Sequence, residues 1–195
     1  MTNAVEQVHE GSLFLAPSKE PTSILDLGTG TGSWAVDVAD HFPNATVIGT
    51  DLSPIQPSWV PPNLQFEVSD CEDEWTYHTP FDLIHMRNLT GSIQDWPKLL
   101  HQVQNHLTSD GWVDIASIDF WVESNNNALP ADSALAQWRH LLHEAIQLSG
   151  RTPRAAQHVH DRVLTAGFTN ITQEVFKVSQ STLTSISPLS FHPAL

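Results

Sequence analysis

The sequence holds a single cysteine, Cys71, so no disulfide can form within the chain, and a reducing intracellular compartment, cytoplasm or nucleus, is expected. Basic residues are scarce: eight Lys and Arg stand against 22 Asp and Glu, for a formal charge of -14. A field of that sign repels phosphate backbones and anionic lipid, which argues against direct nucleic-acid binding and against a membrane partner. No apolar run approaches the roughly 20 residues needed to cross a bilayer, and no basic stretch leads into an apolar one as in a secretion signal. A phosphate-binding loop ending in Gly-Lys-Ser/Thr is also missing. What remains, at 195 residues and 40% apolar, is enough chain for one α/β domain with a real core.

Residues 1–20 have weak periodicity and read as a lead-in segment, followed by a domain over 21–178 and a tail rich in Ser, Thr and Pro over 179–195. The pattern predicts a strand over Ser23 to Leu27, a glycine-rich turn, and a helix over Trp34 to Phe42 stopped by Pro43 and Asn44. Thr46 to Thr50 is the next strand, a connection with Pro54, Pro57, Pro61 and Pro62 follows, and Asn63 to Val68 and Phe81 to His85 are two further strands. Asp95 caps a helix that tolerates Pro97 in its first turn, with Trp96, Leu100, Val103 and Leu107 on one face before Gly111. Then come a strand over Trp112 to Ile118, a helix from about Ala131 to Leu148 with Leu135, Trp138, Leu142 and Ala145 in helical spacing, and a shorter helix over Arg154 to Leu164. Phe168 to Val178 alternates as a last strand. Strand and helix in alternation imply a Rossmann-like α/β fold, a mostly parallel sheet with helices on both faces.

The chemistry concentrates in Asp26-Leu-Gly28-Thr29-Gly30-Thr-Gly32-Ser-Trp34, between the first strand and first helix. Glycines there let the chain turn tightly and a ligand approach the backbone, at the carboxyl ends of the strands. A dinucleotide fingerprint wants glycine where this chain has Ser33, and gains nothing from a carboxylate two residues before the first glycine, close to a pyrophosphate. S-adenosylmethionine, with an ammonium, a sulfonium and one carboxylate, suits Asp26 better. Asp51, nineteen residues after Gly32 at the end of the second strand, can accept both ribose hydroxyls, with Leu52 beside it. Each charge-assisted bond of that kind contributes about 1.5 to 3 kcal/mol. After the third strand, Asp70 can accept the adenine amino group while the Cys71 backbone meets the ring.

Several blocks resemble the LaeA-like family of fungal methyltransferase-domain proteins: Ile24 to Trp34, the proline-rich Ile48 to Asn63, the acidic Asp70 to Trp75, Phe81 to Asn88 and Gly91 to Pro97. The resemblance spans about Gly11 to Val178. It implies a class I methyltransferase fold, S-adenosylmethionine as cofactor, and a link to the control or tailoring of secondary metabolism. It also implies that Asp26, Gly28, Gly30 and Gly32 form the first cofactor motif, that Asp51 and Asp70 are the ribose-side and adenine-side acids, and that Arg87 faces the cofactor. Relative to the family the chain starts late and stops early, so a sheet incomplete at its C-terminal strands is expected.

Methyl transfer from a sulfonium is an in-line displacement in which positive charge disperses, and positioning alone can contribute up to about 7 to 11 kcal/mol. No metal or covalent nucleophile is needed. His85 stands at a strand end where a base for the acceptor would be useful, though a histidine there is more often structural. Trp34 and Trp96 fall on helix faces as packing residues, whereas Trp75, Tyr77 and Trp121 follow strand ends and can line an acceptor pocket. The pairs His140 with His143 and His158 with His160 have spacings a metal can use, but nothing supplies further ligands, so no metal site is expected. Two functions follow: a methyltransferase with a small-molecule acceptor, and a cofactor-binding regulator that acts through protein partners with little catalysis.

Overall fold

The computed structural model describes residues 13–18, 20–89, 91–119, 121 and 129–175. In chain order these form β1 (Ser23–Leu27), α1 (Ser33–His41), β2 (Thr46–Asp51), β3 (Leu64–Val68), β4 (Phe81–Arg87), α2 (Trp96–Asn105), β5 (Leu107–Ala116), α3 (Ala134–Leu148), a 3-10 turn (Ala155–His158) and α4 (Val159–Thr165). The five strands make one sheet in the order β3-β2-β1-β4-β5, every neighbouring pair parallel. β1 lies at its centre, which is why Ser23–Leu27 is apolar on both sides: Ile24 meets one layer of helices and Leu25 and Leu27 the other.

On the first face Ile24, Val47 and Leu83 pack under Trp34, Ala35, Val38 and Ala39 of α1 and Phe14 of the lead-in. On the second face Leu25, Leu27, Ile84 and Met86 pack under Trp96, Leu99, Leu100 and Val103 of α2 and Val163 of α4. Helices thus cover both faces, as the alternation implied. α2 starts as expected, with the Asp95 carboxylate accepting from the Lys98 amide at 3.0 Å and Pro97 in the first turn. The lead-in is fastened to the sheet: the Trp34 indole N–H donates to the Leu13 carbonyl at 2.7 Å, and the Leu15 amide donates to Asp114 at 3.0 Å.

Several expected boundaries shift, each for a reason of pairing. β2 and β4 run on to Asp51 and Arg87 because their ladders continue, Asp51 opposite Val68 and Arg87 opposite Ala116. Leu107 belongs to β5 and not to α2, since Phe81 pairs with it and donates its amide to the His106 carbonyl at 2.7 Å. The register then shifts between Phe81 and Leu83, and a Cβ at Gly111 would come within 2.9 Å of the Phe81 carbonyl. Gly111 serves that irregularity and ends no helix. α3 begins at Ala134, where the Ser133 hydroxyl accepts from the Ala136 amide at 3.2 Å. Its apolar stripe is not core among the described residues: Ala136 is buried, but Trp138 is 46% exposed.

The expected last strand, Phe168 to Val178, does not form over 168–175, and 176–178 lie outside the described residues with the tail over 179–195. Phe168 and Ile171 are apolar because they pack against the core on the α2 face, and no strand among the described residues offers them a ladder. Alternation recorded burial there, without a pairing partner. No helix among the described residues is long and apolar enough to cross a membrane.

Candidate functional site

Gly28, Gly30 and Gly32 all have positive φ, of 67°, 59° and 79°, in the turn from β1 to α1. Gly32 has no alternative: a Cβ there would lie 2.3 Å from the Phe66 ring, in a backbone region that side chains avoid. At Gly30 a Cβ would meet nothing within 4 Å, so the turn presents bare backbone to open space. The loop is held from β2, with the Thr29 amide donating to the Thr50 carbonyl and the Gly30 amide to Asp51 Oδ2, both at 2.8 Å. Asp51 Oδ1 accepts from the Ser53 amide at 2.9 Å. Gln56, in the proline-rich block, donates from Nε2 to the Gly30 carbonyl at 2.7 Å and to the Ser53 carbonyl at 2.9 Å. That block is a clamp on the glycine turn, while Leu52 stands on the lip with 67% of its surface exposed.

The tip of β3 is tied to the tip of β2 by the Ser69 amide, which donates to the Asp51 carbonyl at 3.0 Å. Two residues on, Asp70 Oδ1 accepts from the Glu72 amide at 2.9 Å and shapes the turn. Burial, reinforced by the neighbouring Asp70 and Glu72 charges, pushes the Cys71 thiol up to about 12, so it stays protonated and is no nucleophile. The acidic run is structural at Glu72: its carboxylate accepts from the Asp95 amide at 2.6 Å and from the Gln94 amide at 3.1 Å, where α2 begins. Lys98 Nζ donates to the Glu72 carbonyl, and Gln102 takes the Trp75 amide at 2.9 Å.

Asp26 lies deeper than the other two acids. It is 3% exposed, its Oδ2 accepts from the Thr29 hydroxyl at 2.6 Å, and its Oδ1 is 2.8 Å from His85 Nδ1. On the other side of the ring, His85 Nε2 is 3.8 Å from Asp114 Oδ2, and the Trp34 indole stacks on the imidazole at 3.6 Å. His85 is 2% exposed, with a carboxylate beside each ring nitrogen. Asp114 was not anticipated. Its signal in the sequence is a carboxylate inside an apolar strand, a placement that costs several kcal/mol, on the order of 3, unless partnered.

Arg87 is half-buried at the carboxyl end of β4, beside Ala116. Trp75 and Tyr77, expected near an acceptor, pack instead against the α2-face core and His106, and burial with the Glu67 charge raises the Tyr77 phenol to about 12. Trp121 does line a cavity, at the mouth formed by the ends of β4 and β5. Leu89, next in the chain to Asn88 of the cavity wall, packs on the glycine turn: its side chain would lie 2.5 Å from a Cβ at Gly28. Trp34 and Trp96 are core residues, each 3% exposed. Among the described residues no group of three or more His, Cys, Asp or Glu is arranged to hold a metal ion.

The tips of β1, β2 and β3 thus bring Asp26, Asp51 and Asp70 to one edge of the sheet around a glycine turn. A family model described as a methyltransferase domain matches residues 4–173. The chain belongs to that family. The methyltransferase domain is 44% identical over 168 residues to the methyltransferase pytC of Aspergillus terreus, covering 85% of this chain and 52% of that protein. It is 40% identical over 180 residues to the secondary metabolism regulator LAE1 of Cochliobolus heterostrophus, covering 90% of this chain and 58% of that one. The chain spans about half the length of the curated relatives it matches. Among solved structures, a chain in the complex of the Haloferax volcanii Trm112 methyltransferase activator with a methyltransferase aligns with a TM-score of 0.58 at 19% identity, covering 83% of this chain and 68% of that one. A phosphoethanolamine N-methyltransferase of Haemonchus contortus, solved with S-adenosylhomocysteine, aligns with a TM-score of 0.56 at 19% identity, covering 80% and 35%. These likenesses establish the Rossmann-like class I fold.

Proposed function

We propose that this methyltransferase domain binds S-adenosylmethionine across the glycine turn and methylates a small molecule, in the making of secondary metabolites or in their control. The observation that carries the reading is the bond from the Gly30 amide to Asp51, which sets a carboxylate against the bare turn. Each oxygen of a carboxylate can accept two hydrogen bonds, and each Asp51 oxygen has one within the protein, so both can still take a ribose hydroxyl. Asp70 and the Cys71 main chain serve the adenine, with Leu52 as apolar cover. Gly28, Thr29, Gly30 and Gly32 provide the backbone over which the amino-acid end lies, and the Arg87 guanidinium answers its carboxylate. Asp26 acts at one remove, by fixing Thr29 and so the turn. When bound, S-adenosylmethionine supplies a methyl group on a sulfonium. The protein's part is to hold donor and acceptor in line and to keep water out. The domain in this reading takes in residues 21–178, with 13–15 of the lead-in fastened to it, and works in the cytoplasm or nucleus.

The similarity to fungal regulators of secondary metabolism favours a second reading, in which the same cofactor site serves a protein that acts through regulatory partners. Both begin with cofactor binding. Titration calorimetry of the purified chain is expected to show binding of S-adenosylmethionine and of S-adenosylhomocysteine, and Asp51→Ala to weaken it by about 10-fold or more, at about 1.4 kcal/mol per decade. Equal affinity in the variant overturns the assignment of Asp51.

A further inference from the structure

One row of residues crosses the sheet beside the site. Phe66 of β3, Gly49 of β2, Asp26 of β1, His85 of β4 and Asp114 of β5 are successive partners in the parallel register. Gly49 is the gap in that row, and Thr29 and the Phe66 ring fill it: a Cβ there would come 2.7 Å from the ring and 3.0 Å from the Thr29 hydroxyl. Asp26 accepts from that hydroxyl at 2.6 Å and meets His85 Nδ1 at 2.8 Å. The imidazole therefore touches both flanks of the glycine turn. Asp26 precedes the turn, and Trp34, stacked on the ring at 3.6 Å, follows it in the first turn of α1. The same imidazole also borders what holds the lead-in. The Trp34 indole N–H donates to the Leu13 carbonyl at 2.7 Å, and Asp114, whose Oδ2 is 3.8 Å from His85 Nε2, accepts from the Leu15 amide through Oδ1 at 3.0 Å. Phe14, between these two bonds, is buried and stacks with Phe42.

We propose that His85 couples the lead-in to the glycine turn and is, through the turn, a positioning residue for the cofactor. This role rests on the S-adenosylmethionine reading above, and adds residues 13–15 to what sets the cofactor's affinity. With the lead-in seated, Asp114 and Trp34 fix the ring, the ring fixes Asp26, and Asp26 holds Thr29 and with it the backbone that the cofactor crosses. Stability alone is a poor account of such a row, because apolar side chains of similar volume often do as well in a buried ionic cluster. What hydrogen bonds add is direction, which apolar contact lacks. Linkage makes the coupling reciprocal: whatever factor the seated lead-in adds to cofactor affinity, bound cofactor adds to the seating of the lead-in. Couplings between sites are typically about 5- to 150-fold, and the low end is expected here.

Amide hydrogen exchange on the full chain reads the coupling without any ligand. Phe14→Ala loosens the lead-in and is expected to speed exchange of the Thr29 and Gly30 amides by about fivefold or more, while the Leu99 amide, in α2 on the other face, keeps its rate. Thr29→Val removes the hydroxyl at little change in size, cuts the row at its opposite end, and is expected to speed exchange of the Leu15 amide. This second variant carries the test should Phe14→Ala fail to fold. Calorimetry with S-adenosylhomocysteine reads the consequence for the cofactor. Phe14→Ala is expected to weaken binding about fivefold in the unaltered background, and by less than about twofold in a His85→Asn background, whose shorter side chain does not span to Asp114. Effects that multiply in the double variant overturn the proposal. So do unchanged exchange at Thr29 and Gly30 in the first variant or at Leu15 in the second, and an equal acceleration at Leu99, which would mark general loosening. Absence of S-adenosylhomocysteine binding in the unaltered protein would instead sink the cofactor reading, and the exchange rates still decide the coupling.

Discussion

Asp26 of β1 and His85 of β4 stand opposite each other in the parallel ladder, and their side chains meet at 2.8 Å inside the face covered by α1. With Asp26 as the carboxylate, which can only accept, the bond takes the tautomer that carries its proton on His85 Nδ1. The ring is fixed in turn by Trp34 stacked on its plane and by Asp114 beyond its other nitrogen. Through Thr29 the row holds the glycine turn, and through the Leu15 amide on Asp114 it holds the lead-in. Polar contacts thus cross the sheet from the site to the strand at its edge.

Removing the imidazole leaves two buried carboxylates facing a void. His85→Ala is expected to cost about 3 kcal/mol of stability, and His85→Asn, which can still donate to Asp26, less than half of that. Urea unfolding followed by tryptophan fluorescence measures both. A midpoint unchanged in His85→Ala would show that the row contributes nothing to stability.

Because Cys71 is the sole cysteine, its ionisation can be read chemically. With the thiol near 12 in the folded protein, the thiolate that reacts with iodoacetamide is scarce at pH 8, whereas an ordinary thiol near 8.5 is roughly a quarter ionised. Alkylation is expected to be more than about 100-fold slower in the native protein than in urea, with mass spectrometry counting the adduct. Comparable rates in the two states would place the thiol in solvent.

Asp82 joins the start of β1 to β4. Burial raises its pKa, but hydrogen bonds from the Thr22 amide and hydroxyl, the Thr108 hydroxyl and the Ser23 amide outweigh it and hold the carboxyl below its ordinary value. The folded-state value is thus lower than the unfolded one. The stability that follows is present above the unfolded pKa of about 3.9 and lost as pH falls through the folded value. Asp82→Asn is therefore expected to lower the unfolding midpoint at pH 7 and to differ little from the parent near pH 2. A gap that stays constant from pH 7 to pH 2 would assign the effect to something other than the carboxylate charge.

Much of this was legible in the chain. The glycine turn, Asp51 and Asp70 fall at strand tips because strand ends can be counted from apolar runs, and a parallel sheet brings successive tips to one edge. The helix cap at Asp95 was readable for the same local reason. Leu107 and Phe168 were misread because helical spacing and alternation both record which side chains are buried, and burial alone does not say whether the backbone pairs with a neighbour. Asp114 showed in the sequence only as a carboxylate inside an apolar strand, and the placing of Arg139 and Arg154 against the Trp121 ring carried no local signal, since these partners lie 18 or more residues apart along the chain.

The sequence by itself determined the class of this domain: an α/β unit with a glycine turn and acids spaced one strand apart. Only the tertiary structure decided that Asp26 is enclosed with His85 while Asp51 is only half-buried, and that Arg139 and Arg154 both lie against Trp121. The difference is physical: local conformation follows from neighbours along the chain, whereas exposure and electrostatic partnership exist only once distant segments have packed.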